Sequence, residues 1–162
     1  MPRIEQSITI LAPVGRVYEI ARDVEAFPQF MADLRSLVVL ERSEDNRRTV
    51  TEWVGYISAV KLPVRWVQED LWNETTYRDD FHLLRGDMDR MEGYWQFVPE
   101  TSAEASGHTA SEARTRFDSV VDYEINIPMI GPMIKTLIKK LMTENLNATL
   151  NAIKNRAEQG TS

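Results

Sequence analysis

The last fifth of the sequence is a long amphipathic segment, and it limits the folds open to this chain more than any other feature. Between residues 128 and 158, apolar side chains recur at helical spacing, which predicts one long helix. They are Ile130, Met133, Ile134, Leu137, Ile138, Leu141, Met142, Leu146, Leu150 and Ile153. Their arc covers roughly half of the circumference, wider than the ~100° stripe of an ordinary surface helix. We expect this helix to bury its apolar side against a sheet, or against something held between helix and sheet.

The residues before this helix are mainly typical of strands. Residues 3–10 alternate between apolar and polar side chains, which predicts a half-buried strand. Ala12-Pro13 predicts the start of a helix, because proline is tolerated in the first helical turn. A second short helical turn is expected near residues 25–31, interrupted at Pro28. Six further strands are predicted at residues 34–42, 48–57, 60–72, 76–84, 91–98 and 112–125.

The order of these elements predicts an α+β fold. One strand, two short helices, six strands and a long helix would give a seven-stranded antiparallel sheet that curls over the helix. The alternation places Val64 and Trp66 on the inner face and Arg65 on the outer face, whereas the inward parity of 48–57 and 76–84 is left open. Residues 100–113 are small and polar, which predicts a hairpin loop rather than a linker, so residues 1–162 are expected to form a single domain.

Composition excludes several functional classes. The sequence has no cysteine, which rules out disulfides, thiolate metal sites and thiol nucleophiles. Its 25 acidic and 19 basic residues give a net charge of −6, which argues against nucleic acid as a partner. The sequence shows neither a secretion signal nor a stretch long and apolar enough to span a bilayer. We therefore expect a soluble, cytoplasmic protein.

Few side chains suggest catalysis. The only histidines, His82 and His108, do not have metal-ligand spacing, and no serine or threonine has a visible base partner. His82 lies beside Phe81 in a predicted strand and would supply an acid or base if it faced a cavity, although an exposed strand histidine is the more ordinary interpretation. The sequence therefore predicts no catalytic residue, no metal site and no cofactor, with His82 as the candidate polar group of a cavity.

Acidic residues between positions 79 and 92 are interpreted as surface charges. Asp79 and Asp80 are expected on the side of a strand that faces water. Asp87, Asp89 and Glu92 surround a glycine turn, but their spacing does not match a calcium-binding loop. Aspartate is common in turns for backbone reasons alone, so these residues predict a turn rather than a cation site.

Two stretches carry the pattern of a known family. The first is Ile10-Leu11-Ala12-Pro13 with Val17-Tyr18, Asp23 and Pro28-Gln29-Phe30, and the second is the glycine turn and strand from Gly86 to Phe97 with Trp95-Gln96-Phe97. Together with the terminal helix they resemble the superfamily of START proteins and the birch-pollen allergen (SRPBCC), especially its bacterial polyketide cyclase/dehydrase and coenzyme Q-binding members. The resemblance covers nearly the whole chain. It implies the helix-grip fold, in which a curved seven-stranded antiparallel sheet wraps around the C-terminal helix.

The resemblance also implies a cavity between sheet and helix for a hydrophobic small molecule, with a lipid or an isoprenoid quinone as the expected class. Large rings and flexible apolar side chains suit the wall of such a cavity, although ordinary core packing also uses them. The predicted lining residues are Trp66, Phe81, Trp95, Phe97, Phe117, Tyr123, Met133, Leu137 and Leu141.

Two other functions stay open at this point. One is an aromatic polyketide cyclase or dehydratase. The other is a module that contacts the ribosome or, through Lys135, Lys139 and Lys140, an anionic membrane surface. The sequence predicts no oligomeric state.

Overall fold

The computed structural model describes residues 2–57, 61–100, 113–125 and 132–159. In chain order the elements are β1 (Arg3–Ile10), α1 (Val14–Arg22), a 3-10 turn (Val24–Ala26), α2 (Phe27–Phe30), β2 (Leu34–Arg42), β3 (Arg48–Ile57), β4 (Leu62–Asn73), β5 (Arg78–Gly86), β6 (Arg90–Glu100), β7 (Arg114–Glu124) and α3 (Pro132–Glu158). The predicted order of elements is confirmed. The loop predicted at 100–113 lies almost entirely outside the described residues.

The seven strands of the described chain form one antiparallel sheet in the order β1-β7-β6-β5-β4-β3-β2. Strands β2 to β7 each pair with their neighbour in the sequence, and β1 pairs with β7. The two helices that separate β1 from β2 therefore connect the two edges of the sheet. With α3 on the inner face, this is the helix-grip architecture that the sequence predicts.

The short helices follow the positions of their prolines. Pro13 is the N-cap of α1 in an extended conformation, and its carbonyl accepts hydrogen bonds from the backbone N–H groups of Arg16 and Val17. Pro28 lies in the first turn of α2. The expectation that Pro28 interrupts a helix was wrong, because first-turn N–H groups need no helical partner and proline there starts the helix.

One half of the interior is densely packed. Phe97 and Phe117 face each other on β6 and β7 with ring centroids 4.5 Å apart, and both are at most 1% exposed. The C-terminal half of α3 adds Leu150 and Ile153, which are fully buried. We call this region, between β6, β7, β1, α1 and the C-terminal half of α3, the closed half of the interior.

Side chains of α1 hold the end of α3 in the closed half. Arg16 Nε donates a hydrogen bond to the carbonyl of Ala157 at 2.8 Å, and its Nη2 donates to the carbonyl of Gln159 at 2.6 Å. Glu158 Oε2 accepts from the backbone N–H of Leu11 at 2.8 Å. The two bonds from Arg16 satisfy carbonyls that the end of a helix leaves unpaired.

The N-terminal half of α3 is much less buried than expected. Met133 is 86% exposed and Leu137 is 41% exposed. The expectation that the whole apolar arc is buried was therefore wrong for these two residues, while Ile130 and the side chain of Ile134 lie outside the described residues. The physical reason is the placement of α3, whose described hydrogen bonds to β1 and α1 begin only at Thr143. In the described part of the chain, no helix is both long enough and apolar enough to cross a membrane.

Candidate ligand-binding cavity

A cavity of about 750 Å³ lies between the inner face of the sheet and α3. The sheet side is formed mainly by β3 to β6, with Leu34 of β2 and Val121 of β7, and Phe30 of α2 also lines the cavity. The helix side includes Ile138, Met142 and Leu146, which are half-buried. We call this region the open half of the interior. Its volume is within the range of small-molecule pockets in proteins, which are about 300–1,000 Å³.

Two tryptophans form the flat part of the cavity wall. Trp53 on β3 and Trp66 on β4 are directly paired, and their rings stack with centroids 5.5 Å apart. Both indole N–H groups already have acceptors, Thr51 Oγ1 for Trp53 and Gln68 Oε1 for Trp66, each at 2.7 Å. The rings can therefore offer a ligand apolar surface without leaving a polar group unpaired.

A chain of polar side chains continues from Trp66 along the wall. Gln68 Nε2 donates to Asp70 Oδ1 at 2.8 Å, and the carboxyl groups of Asp70 and Asp79 hydrogen bond to each other. Asp70 is 3% exposed and Asp79 is 1% exposed, and both line the cavity.

The two carboxyl groups favour the protonated form more than an ordinary aspartate does. Burial raises the pKa of both, and the neighbouring charge of Asp70 raises the pKa of Asp79 further. Hydrogen bonds from Asp79 and Gln68 partly oppose this effect on the pKa of Asp70. Both groups therefore hold a proton more strongly than an ordinary aspartate does. A buried pair of carboxyl groups is an unusual component for an otherwise apolar cavity.

The rim of the cavity is more polar than its wall. Asp33, Asp87 and Arg156 lie there, and all three are exposed. The guanidinium of Arg156 on α3 lies 5.6 Å from the ring centroid of Phe30, which links α3 to α2 at the edge of the opening. An apolar interior with a polar rim is the arrangement expected of a site that removes an apolar molecule from water.

The structure places three of the nine predicted lining residues in the wall: Trp66, Phe81 and Trp95. The other placements were wrong. Phe97, Phe117 and Tyr123 face inward as expected but are buried in the core away from the cavity. Met133 and Leu137 are exposed, and Leu141 is half-buried outside the wall, because α3 leans toward β1 and turns these positions away.

His82 does not face the cavity. It lies on the outer face of the sheet beside Glu69, with Nε2 at 3.6 Å from Glu69 Oε1, and its side chain is exposed. Its neighbour Phe81 takes the inner face, so alternation along β5 turns His82 outward. The assignment of His82 as a polar cavity group was wrong.

The polar groups that do line the cavity were missed by the sequence analysis. Asp79 was interpreted as a water-facing charge, and that interpretation was wrong. The alternation of inward and outward side chains was the signal that could have found these groups. Trp66 faces inward, so Gln68 and Asp70 on the same strand do as well, and Asp79 shares the inner face with Phe81. In β5, the interpretation of Asp79 followed its charge and not the alternation of the strand, and this gave the wrong face of the sheet.

With the fold and the cavity defined, comparison with known proteins identifies the group to which the chain belongs. Residues 10–150 match the family described as polyketide cyclase / dehydrase and lipid transport. The chain belongs to this family. Among curated proteins, no sequence matches it significantly.

Solved structures agree with membership of the polyketide cyclase/dehydrase and lipid transport family. The protein TTHA0849 from Thermus thermophilus is 32% identical, with a TM-score of 0.85 over 99% of this chain and all of that protein. The Zhui aromatase/cyclase from Streptomyces sp. R1128 is 16% identical, with a TM-score of 0.82 over 99% of this chain and 96% of that one. A START superfamily protein from Mycobacterium smegmatis is 22% identical, with a TM-score of 0.77 over 98% and 99% of the two chains. The last two similarities establish the fold alone.

Proposed function

We propose that this protein binds and carries a hydrophobic small molecule, of the lipid or isoprenoid quinone class, in the cavity beneath α3. The observation that carries the proposal is a cavity of about 750 Å³ with aromatic and aliphatic walls in the middle of the fold. Apolar area buried there would contribute about 25 cal/mol per Å², enough for affinity without charged recognition. In this proposal residues 1–162 act as one domain in the cytoplasm.

A second candidate function, cyclisation or dehydration of an aromatic polyketide, is favoured by the Asp70–Asp79 pair. A neutral carboxyl group in a buried site can polarise a substrate carbonyl. Carriage is preferred because the other carboxylates among the described wall residues, Asp33 and Asp87, are exposed at the rim and lie outside the buried wall. The two functions differ in the fate of the bound molecule, which a carrier releases unchanged.

The direct test is to identify what the purified protein holds and what it takes up. Organic extraction followed by mass spectrometry should release an apolar molecule, and titration with ubiquinone analogues or fatty acids should quench the tryptophan fluorescence of Trp53 and Trp66 to saturation. The protein is then incubated with each molecule, and the mass of the recovered molecule is measured. An unchanged mass indicates carriage, and a changed mass indicates turnover. No extracted molecule and no saturable binding would contradict both functions.

A variant that fills the cavity, compared with a matched control, tests where the ligand binds. Ala152 lines the cavity and is half-buried, so Ala152→Trp should occupy ligand volume and weaken binding by at least about tenfold, the equivalent of ~1.4 kcal/mol. Leu84→Trp adds the same ring to the outer face of the sheet, where Leu84 is exposed, and should leave binding unchanged. Equal effects of the two variants would show that binding occurs elsewhere.

Peripheral contact with an anionic membrane belongs to the same proposal as a route for loading. Exposed Met133 and Leu137 lie on one half of α3 together with exposed Lys135, Lys139 and Lys140. Apolar side chains next to lysines are the composition of helices that lie at a bilayer surface.

A further inference from the structure

The residues of α3 that line the cavity change from half-buried to exposed along the helix. Toward the N-terminal end, Ile138, Met142 and Leu146 are half-buried. Further along the helix, the cavity is also lined by exposed residues, which are Ala148, Asn151, Asn155, Arg156 and Gln159. A residue that both lines a cavity and is exposed to solvent lies at an opening of that cavity. The described part of α3 therefore borders an opening along its C-terminal half.

The other side of this opening is the end of α2 and the segment that follows it. Phe30, the last residue of α2, lines the cavity and is half-buried, and Ala32 and Asp33 line it and are exposed. The ring of Phe30 lies beside Arg156, which places this segment next to the C-terminal half of α3. Other exposed lining residues lie at the end of the sheet, at Pro63 and Asp87. The gap between α2 and α3 thus leads from solvent into the cavity.

A cation–π contact spans this gap. The guanidinium of Arg156 lies 5.6 Å from the ring centroid of Phe30, and both side chains line the cavity. This distance is within the roughly 6 Å over which a cation is attracted to the face of an aromatic ring. We call this contact the Phe30–Arg156 bridge. At an exposed site such a contact is weak, so the two side chains can separate and meet again readily.

The backbone on each side of the bridge is held in place. On α2, Phe27 is fully buried, and its ring centroid lies 5.9 Å from that of Trp53. On α3, the carbonyl of Ala157 accepts a hydrogen bond from Arg16 Nε of α1 at 2.8 Å. Opening the gap therefore requires movement of the two bridging side chains and not of the helices that carry them. Side-chain rotations of this kind are fast compared with the movement of a helix.

We propose that the ligand enters and leaves between α2 and the C-terminal half of α3, and that the Phe30–Arg156 bridge is the gate of this route. The bridge forms over an empty cavity and over a filled one. It therefore sets the rates at which a ligand is exchanged and not the affinity with which it is held. This inference rests on the proposed cavity binding and adds the path that the ligand takes.

The rates of binding and release test the gate. The probe is N-phenyl-1-naphthylamine, which is uncharged and whose fluorescence rises in apolar surroundings, and stopped-flow mixing gives both of its rate constants. Arg156→Gln removes the cation and keeps a polar side chain. It should raise the association and dissociation rates together by about two- to fivefold, the factor that an exposed cation–π contact supplies. The Kd should stay unchanged, because the bridge is lost from the free and the bound protein alike.

A second cation–π contact of this chain provides the matched control. The guanidinium of Arg78 lies 3.9 Å from the ring centroid of Tyr94, and both residues lie outside the cavity wall. Arg78→Gln should therefore leave both rates of the probe unchanged. Circular dichroism checks that each variant is folded.

An introduced cysteine tests the position of the route without changing Arg156. The chain contains no cysteine, so a single introduced thiol can be labelled specifically. Ala148→Cys carrying a bulky maleimide should obstruct the gap and slow both rates severalfold relative to the same variant without the label. Leu84→Cys carries the label on the exposed outer face of the sheet and should bind the probe as before.

The outcomes separate the gate from cavity binding. A rise in dissociation alone, with weaker affinity, would show that Arg156 contacts the ligand, and the gate would be overturned while cavity binding stands. Unchanged rates in Arg156→Gln, or in labelled Ala148→Cys, would overturn the gate in the same way. If the wild-type protein shows no saturable binding of the probe, or if Ala152→Trp leaves its affinity unchanged, cavity binding itself fails and the gate falls with it.

Discussion

The closed and open halves of the interior share one sheet, but their inward-facing side chains differ in the contacts that they need. In the closed half, Phe97 pairs with Phe117 and needs only apolar contact. In the open half, Trp53 pairs with Trp66, and Gln68 and Asp70 follow Trp66 on the inner face of β4, so apolar and polar side chains share the wall. Side-chain bulk does not explain the cavity, because its wall contains three tryptophans. The described hydrogen bonds join α3 to α1 and to β1, at the opposite end of the sheet from β3 and β4, whose residues line the cavity.

The largest expected effect is a difference in the free energy of unfolding between a variant of the closed half and a variant of the open half. Phe117→Ala removes a fully buried ring from the closed half and should lower the free energy of unfolding by about 3–5 kcal/mol. Leu146→Ala shortens a half-buried side chain that already borders the cavity, and it should cost only about 1 kcal/mol. Urea denaturation measures both. Similar losses in the two variants would mean that the open half is packed as tightly as the closed half.

A smaller effect follows from the proton on Asp79. Because its pKa is raised in the folded state, folding becomes less favourable as pH rises above the ordinary aspartate value of about 3.9 toward the raised value. Asp79→Asn removes this penalty and keeps a donor for Asp70. It should therefore raise the free energy of unfolding by roughly 1–3 kcal/mol at pH 7.

The direction in which the stability difference changes with pH tests this prediction. Below the ordinary value both states are protonated, so the advantage of Asp79→Asn over the wild type should shrink when denaturation is repeated near pH 3.5. The charged neighbours Glu69, Asp80 and His82 are present in both proteins. Asp23→Asn changes an exposed aspartate that makes no side-chain capping bond and does not act on the pair, so it serves as the control. An advantage that grows toward acid pH would contradict a neutral Asp79.

The smallest stability effect is expected on the exposed half of α3. Met133→Gln should change the free energy of unfolding by no more than about 0.5 kcal/mol, because the side chain is 86% exposed. Binding to vesicles of phosphatidylglycerol should nevertheless weaken, and added salt should weaken it in the parent protein as well. Vesicle sedimentation measures both. Unchanged binding in the variant would remove Met133 from the proposed membrane contact.

The sequence predicted the strands and their order because alternation and turns are local signals. Residues 34–42 and 48–57 form strands with the expected limits. It did not predict where the cavity lies, since the position of α3 depends on contacts such as that between Arg16 and Ala157, 141 residues apart. The buried acids were within reach of the sequence. Trp66 and Phe81 fix the inner parity of their strands, and consistent use of that parity would have placed Asp70 and Asp79 inside.

The contacts of Arg16 with the last carbonyls of α3 have a consequence for the cavity. Together with the bonds of Gln6 to Thr143 and Asn147, they attach the helix to α1 and β1 through its middle and its C-terminal end. Ile138 and Met142 line the cavity on the N-terminal side of these attachments. Under the proposed function, the part of α3 that meets the ligand there is therefore not the part that these bonds join to the closed half.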